Sequence, residues 1–227
     1  VDAAELNYKA GDEYLAAAAG KSNQPAVFLD SSGRSYMTAA AEFPTVRSNG
    51  IPLTGLFKTP AGVHFVAVLL GEAEQKMLVA GDSGYGFITQ LQHMYTRNQK
   101  GKAFLTVSSS AVPLPPQVIP PSELPQSIVA ITQQGRMLVF PLEELVELPK
   151  GKGNKVIHMA PKDIKAGTDR LLFIRLITAA DKLVIQAGKR SFTLTAGNVK
   201  EFTGARGRRG KKLPRGFQRV TAAVIES

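Results

Sequence analysis

The feature that most constrains this chain is a repeat of about fifty residues. Four short segments share one pattern: an apolar run, small or polar residues, a glycine, then a second run rich in apolar residues. They occupy residues 27–37, 78–88, 129–139 and 183–192, and the marker glycines are Gly33, Gly84, Gly135 and Gly188. Their spacings are 51, 51 and 53 residues. A glycine supplies the positive φ that a short turn between strands needs, and the Val, Ile, Leu and Phe flanks suit buried strands. Each segment is therefore expected to be a tight hairpin.

A second element follows each hairpin: a basic, glycine-bearing loop that leads into another apolar stretch. The loops are 47–50 (RSNG), 97–102 (RNQKGK), 150–155 (KGKGNK) and 206–212 (RGRRGKK). Strands are expected at 53–57, 103–107 and 156–159, with further strands at 65–70 and 171–177. That makes about four strands per period, the content of one propeller blade. The expected blades are 1–24 (partial), 25–75, 76–125, 126–180 and 181–227, with a strand at 13–18 in the first. The partial blade predicts a piece of a longer polypeptide. Residues 113–125 hold six of the fourteen prolines, yet the period runs through them, so they read as a connection between blades. Helix is expected only as single turns at 39–42, 90–95 and 142–145.

Charge narrows the function. The chain carries +10, and from residue 181 onward eleven basic residues face three acidic ones, which places +8 there. Such a field attracts a polyanion, either nucleic acid or an anionic surface. No run of eighteen apolar residues, signal peptide or cysteine occurs; the last fits a reducing cytoplasm. The segment 16–22 (AAAAGKS) ends like a phosphate-binding loop but has Leu15 where that pattern requires glycine. His64, His93 and His158 have no metal-ligand spacing, and no nucleophile elbow appears. A catalytic domain is disfavoured.

The basic loops are the candidate site. Cations neutralise phosphate, and glycine lets backbone N–H groups approach an anion. The candidate DNA contacts are Arg47, Arg97, Lys100, Lys102, Lys150, Lys152, Lys155, Lys189, Arg190, Arg206, Arg208, Arg209, Lys211, Lys212 and Arg215. An element that recurs once per blade should recur at one place on each blade, giving a curved positive track for bent duplex DNA.

Residues 6–12 (LNYKAGD), 20–25 (GKSNQP), 82–87 (DSGYGF), 130–141 (AITQQGRMLVFP), 150–155 and 204–210 (GARGRRG) carry a resemblance across essentially the whole chain. The sequence resembles the C-terminal domain of the bacterial topoisomerase IV A subunit. The related gyrase A-subunit domain carries a QRRGGKG box that is absent here. The resemblance implies an all-β β-pinwheel, a propeller-like ring of about five four-stranded blades that exchange strands, the first incomplete at the N-terminus. It implies a DNA-binding and DNA-bending accessory domain that presents a DNA segment to a catalytic core for strand passage, decatenation and supercoil relaxation. It implies no catalytic residue, metal or cofactor in this fragment, with Mg²⁺ and ATP used elsewhere in the parent enzyme. Implied partners are double-stranded DNA, the core of its own subunit, the B subunit in an A2B2 holoenzyme, and the condensin-type protein MukB. The implied location is cytoplasmic and nucleoid-associated. The alternatives are a gyrase-type wrapping domain and a propeller scaffold for protein partners.

Overall fold

The computed structural model describes residues 8, 10–45, 48 and 50–226. Residues 25–75 supply β1 (Pro25–Asp30), β2 (Arg34–Ala39) and β3 (Phe65–Leu69). Residues 76–125 supply β4 (Lys76–Gly81), β5 (Tyr85–Gln90), β6 (Lys102–Ala103) and β7 (Gln117–Val118). Residues 126–180 supply β8 (Ser127–Thr132), β9 (Arg136–Pro141), β10 (Asn154–Lys155) and β11 (Leu171–Ile177). The last segment supplies β12 (Lys182–Ala187), β13 (Arg190–Leu194), β14 (Lys211–Lys212) and β15 (Ala222–Glu226).

These strands do not stay within their own segments. The sheets run β3-β1-β2-β6, β10-β5-β4-β7, β11-β8-β9-β14 and β13-β12-β15. Three hairpins thus receive their fourth strand from the following segment, through β6, β10 and β14. This exchange is the pinwheel device. Among the described residues the fourth sheet has three strands and β13 receives no exchanged one.

The alternation of side chains along a strand stacks the sheets face to face. In β1, Val27 and Leu29 pack toward Met77 and Val79 of β4. In β4 the alternate pair, Leu78 and Ala80, packs toward Ile128 and Ala130 of β8. Val129 and Ile131 of β8 then meet Leu183 and Ile185 of β12. Each middle hairpin is apolar on both faces because it lies between two neighbours.

The structure departs from the sequence reading in several places, and of the strand expected at 103–107 only Ala103 lies in one, at the end of β6. Residues 10–24 contain no strand, so no partial first blade occurs among the described residues, and the sheets number four rather than five. The run Ala16 to Ala19 is exposed and has no β-branched side chain to favour a strand. Residues 53–57 form no strand: α1 (Leu53–Leu56) folds there and, with Phe43 and Phe57, covers the outer face of the first sheet around Phe28. Residues 156–159 follow β10 without pairing as a strand, because Val156, Ile157 and Met159 are drawn into the core between the second and third sheets. The proline-rich stretch does more than connect: β7 pairs with β4 as an edge of the second sheet. Its prolines lack the N–H needed for a ladder, which keeps that edge strand to two residues. Two short helices not expected from the sequence, α2 (Pro161–Ala166) and α3 (Ala196–Val199), lie in connections.

The first three hairpins share one turn. Gly33, Gly84 and Gly135 each donate a backbone N–H to the carbonyl three residues back, at 2.9–3.0 Å. Gly33 adopts φ 84°, and a Cβ there would lie 1.9 Å from the carbonyl oxygen of Leu105. The fourth hairpin differs. Ala187 pairs with Arg190, leaving only Gly188 and Lys189 in the loop. With φ 60° at Gly188 and no positive φ at Lys189, it fits the two-residue turn that places glycine first.

Candidate nucleic-acid interface

The basic loops are positioned by the exchanged strands. Lys102 pairs with Ser35, Asn154 with Gly86 and Lys211 with Met137; each partner is the second residue after a turn glycine. The loop glycines make this fit possible. A Cβ at Gly101 would meet the Tyr36 ring at 2.7 Å, one at Gly153 the Gly86 carbonyl at 2.0 Å, and one at Gly210 the Met137 carbonyl at 2.5 Å. These three glycines shape the backbone against the preceding hairpin.

The loops also join one another. Thr106 donates its N–H to the Gly151 carbonyl, and Gly151 donates to Phe104, both at 2.9 Å. Gly207 donates to the Val156 carbonyl and His158 donates to Arg208, again at 2.9 Å. Residues 97–106, 150–158 and 206–212 therefore form one continuous run across three sheets.

Individual cations on this run differ in availability. Arg97, Lys100, Lys150, Lys152, Arg208, Arg209 and Lys212 are exposed, as is Arg215 just beyond the run. Lys102 donates its ammonium to the His93 carbonyl at 2.8 Å, and Lys211 donates to the Glu201 carbonyl. Arg206 acts as a joint between loops: Nε donates to the Glu144 carbonyl and an Nη to the Lys155 carbonyl, both at 2.8 Å. Its backbone N–H also meets the Glu144 carboxylate at 3.1 Å. Lys152 sits over the Tyr85 ring, 4.0 Å from its centre, with Lys155 at 5.9 Å. Lys189 and Arg190 are exposed at the fourth hairpin, with the Arg190 guanidinium against Gly216. Arg47 lies outside the described residues.

Sequence reasoning missed Arg34 and Arg136, the residues directly after Gly33 and Gly135. Arg34 donates to the carbonyls of Lys100 at 3.0 Å and Gly101 at 2.7 Å. Arg136 donates to the Gly210 carbonyl at 3.2 Å. The proton affinity of Arg136 is lowered by burial and by the charge of Arg209, with Asp169 opposing. The recurrence of arginine after the turn glycine was a visible signal for this pair. Lys58 was also missed: its backbone N–H donates to the Gln99 carbonyl at 2.8 Å, which places it beside the 97–102 loop.

The aspartates near the hairpin turns are turned inward. Asp30 is buried; Oδ1 accepts the N–H groups of Ser32 and Arg34, and Oδ2 accepts the Tyr36 hydroxyl. Burial pushes the Asp82 carboxyl up, against the opposing effects of the Val112 N–H and Arg170, which lies 3.7 Å away. Buried Asp169 accepts the Gln134 N–H at 3.1 Å. Their charge is held by the fold rather than presented at the surface. Among the described residues no group of three or more His, Asp or Glu side chains is placed to hold a metal ion. No described helix is long and apolar enough to cross a membrane.

Known proteins agree with this architecture. A family model described as the DNA gyrase C-terminal domain, beta-propeller, matches residues 126–178. The A subunit of DNA topoisomerase 4 from Escherichia coli K12 is 43% identical over all 227 residues, and that from Pseudomonas aeruginosa is 40% identical. The chain spans 30% of the length of each. A solved gyrase A C-terminal domain shares the fold at 13% identity, with a TM-score of 0.69 over 99% of this chain and 73% of that one. The solved E. coli ParC C-terminal domain is 42% identical, with a TM-score of 0.90 over 100% of this chain and 91% of that one. With its exchanged strands and face-to-face sheets, this chain belongs to the family of β-pinwheel C-terminal domains of the topoisomerase IV A subunit.

Proposed function

We propose that this chain is a DNA-binding and DNA-bending accessory domain, which presents a duplex segment to the catalytic core of a topoisomerase IV for strand passage, decatenation and supercoil relaxation. The supporting observation is the hydrogen-bonded run of basic loops across three sheets. Phosphate contacts along such a run bind by charge and DNA deformability, without reading bases. Bending 20–30 base pairs by 40–90° costs about 1–6 kcal/mol, which several loops together offset and one loop does not.

The phosphate contacts in this reading are the accessible cations Arg97, Lys100, Lys150, Lys152, Arg208, Arg209 and Lys212, with Lys155 beside them and Lys189, Arg190 and Arg215 at the far end. Arg206, Lys102 and Lys211 shape the loops instead. Arg47 belongs to the same pattern by sequence. Bond breakage, Mg²⁺ and ATP belong to other parts of the parent enzyme, and this domain adds no chemistry of its own. Its other partners are the catalytic core to which it is joined, the B subunit of an A2B2 assembly and a condensin-type protein such as MukB. Its place is the cytoplasm, at the nucleoid.

The test is a salt titration with a bending readout. Replacing Arg208, Arg209 and Lys212 by Ala should weaken binding to all duplex sequences alike. The slope of log K against log salt should fall by about 0.9 for each lost contact. End-to-end fluorescence transfer on a short duplex should show less bending. Wild-type affinity and slope in that variant would refute the assignment.

A further inference from the structure

At the residue after the turn glycine, the first and third sheets carry arginines that donate into the next loop, Arg34 and Arg136. The second sheet carries Tyr85 at that register. Tyr85 pairs with Lys155 as Arg136 pairs with Lys212 and Arg34 with Ala103. A phenol has no fork of N–H donors with which to clamp carbonyls. It offers a ring face instead, and the Lys152 ammonium sits 4.0 Å from the ring centre with that of Lys155 at 5.9 Å.

We propose that Tyr85 is a positioning residue of the basic track, seating Lys152 and Lys155 on its ring so that both ammonium groups are ordered before a phosphate arrives. This rests on the DNA-binding reading above. A free lysine loses rotamer freedom when a phosphate fixes it, and a ring that already holds the ammonium reduces that loss. The ring quadrupole attracts the cation without using its N–H donors, and an ammonium has three. A phosphate can therefore bond the side of the ammonium that faces away from the ring. The middle loop trades an arginine clamp for a lysine pair held in place, which keeps it in the track.

The experiment uses the 227-residue chain, a random-sequence duplex and a salt series. Tyr85→Leu should weaken binding about two- to five-fold, the range expected for losing one exposed cation–π contact. Its salt slope should stay at the wild-type value, because the lysines still meet phosphate. Tyr85→Phe keeps the ring and should bind like wild type. In a Lys152→Ala, Lys155→Ala background, Tyr85→Leu should change nothing further. Without DNA, the Lys152 side-chain proton shifts should show the upfield ring effect in wild type and lose it in Tyr85→Leu. Wild-type affinity for Tyr85→Leu, equal losses for Leu and Phe, or a loss that persists in the double-lysine background would each overturn the inference. If wild type fails to bind duplex at low salt, the DNA reading fails and this role falls with it. The proton shifts then still report whether the seat exists.

Discussion

The first and fourth hairpins both set a marker glycine between apolar runs and are built differently. At the first, β6 pairs with β2, and Gly33 accepts N–H bonds from Phe104 and Leu105 at 3.1 and 2.9 Å. Asp30 and Tyr36 hold the turn from inside. At the fourth, β13 receives no exchanged strand among the described residues, nothing lies within 4 Å of a Cβ on Gly188, and Ile185 packs as ordinary core. A glycine at one sequence position can thus answer to two demands. Gly33 makes room for a crossing backbone, whereas Gly188 only permits the sharp reversal of its own chain.

The largest test of that difference is Gly33→Ala. The new Cβ would overlap the Leu105 carbonyl and hold a left-handed backbone, so a loss of about 3–4 kcal/mol is expected in urea unfolding. Tyr36→Phe comes next. It removes a 2.8 Å hydrogen bond to buried Asp30, worth about 2 kcal/mol at neutral pH. Burial, then the hydrogen bond and charge of Asp30, push the Tyr36 hydroxyl up to about 12 from 10.0. A folded-state value above the unfolded one stabilises fully below pH 10 and is lost as pH rises toward 12. The gap in urea midpoint between wild type and Tyr36→Phe should therefore narrow between pH 9 and about pH 12. A gap that is constant or widens with pH would contradict this account of the first hairpin.

Gly188→Ala should lose only about 1 kcal/mol, the conformational term alone. A loss equal to that of Gly33→Ala would erase the distinction between the hairpins. The smallest stability effect is expected for Lys189→Ala with Arg190→Ala. Melting temperature should hold while the DNA salt slope falls by about 0.9 per lost contact. Arg34→Ala, on the covered hairpin, should do the reverse. Its guanidinium is engaged by carbonyls, so thermal stability should drop and the slope should change little.

The hairpins were legible because their signals are local: a turn glycine, polar neighbours and β-branched flanks fall within a dozen residues. The exchange was not legible as pairing. β6, β10 and β14 are two residues long, and their partners lie in another segment. The basic loops of the site were legible from composition. Which cations remain available was not, because the carbonyls that occupy Arg206 and Lys102 belong to residues 144, 155 and 93. The same limit explains residues 53–57 and 156–159, where apolar runs looked like strands but fill gaps beside and between sheets. The fourth turn did leave a trace. Gln186 and Ala187 precede Gly188 where the other turns have a polar pair, which marks a shorter loop.

Strand lending also bears on how such arrays change in number. An interior unit both gives an edge to the unit before it and takes one from the unit after it. Duplicating or deleting a whole interior unit leaves every lender matched to a borrower, so unit count can drift without orphaning backbone groups. A cut through the middle of a unit would strand two sheets at once. On this pairing, a whole period is the piece whose addition or removal leaves no sheet edge unpaired.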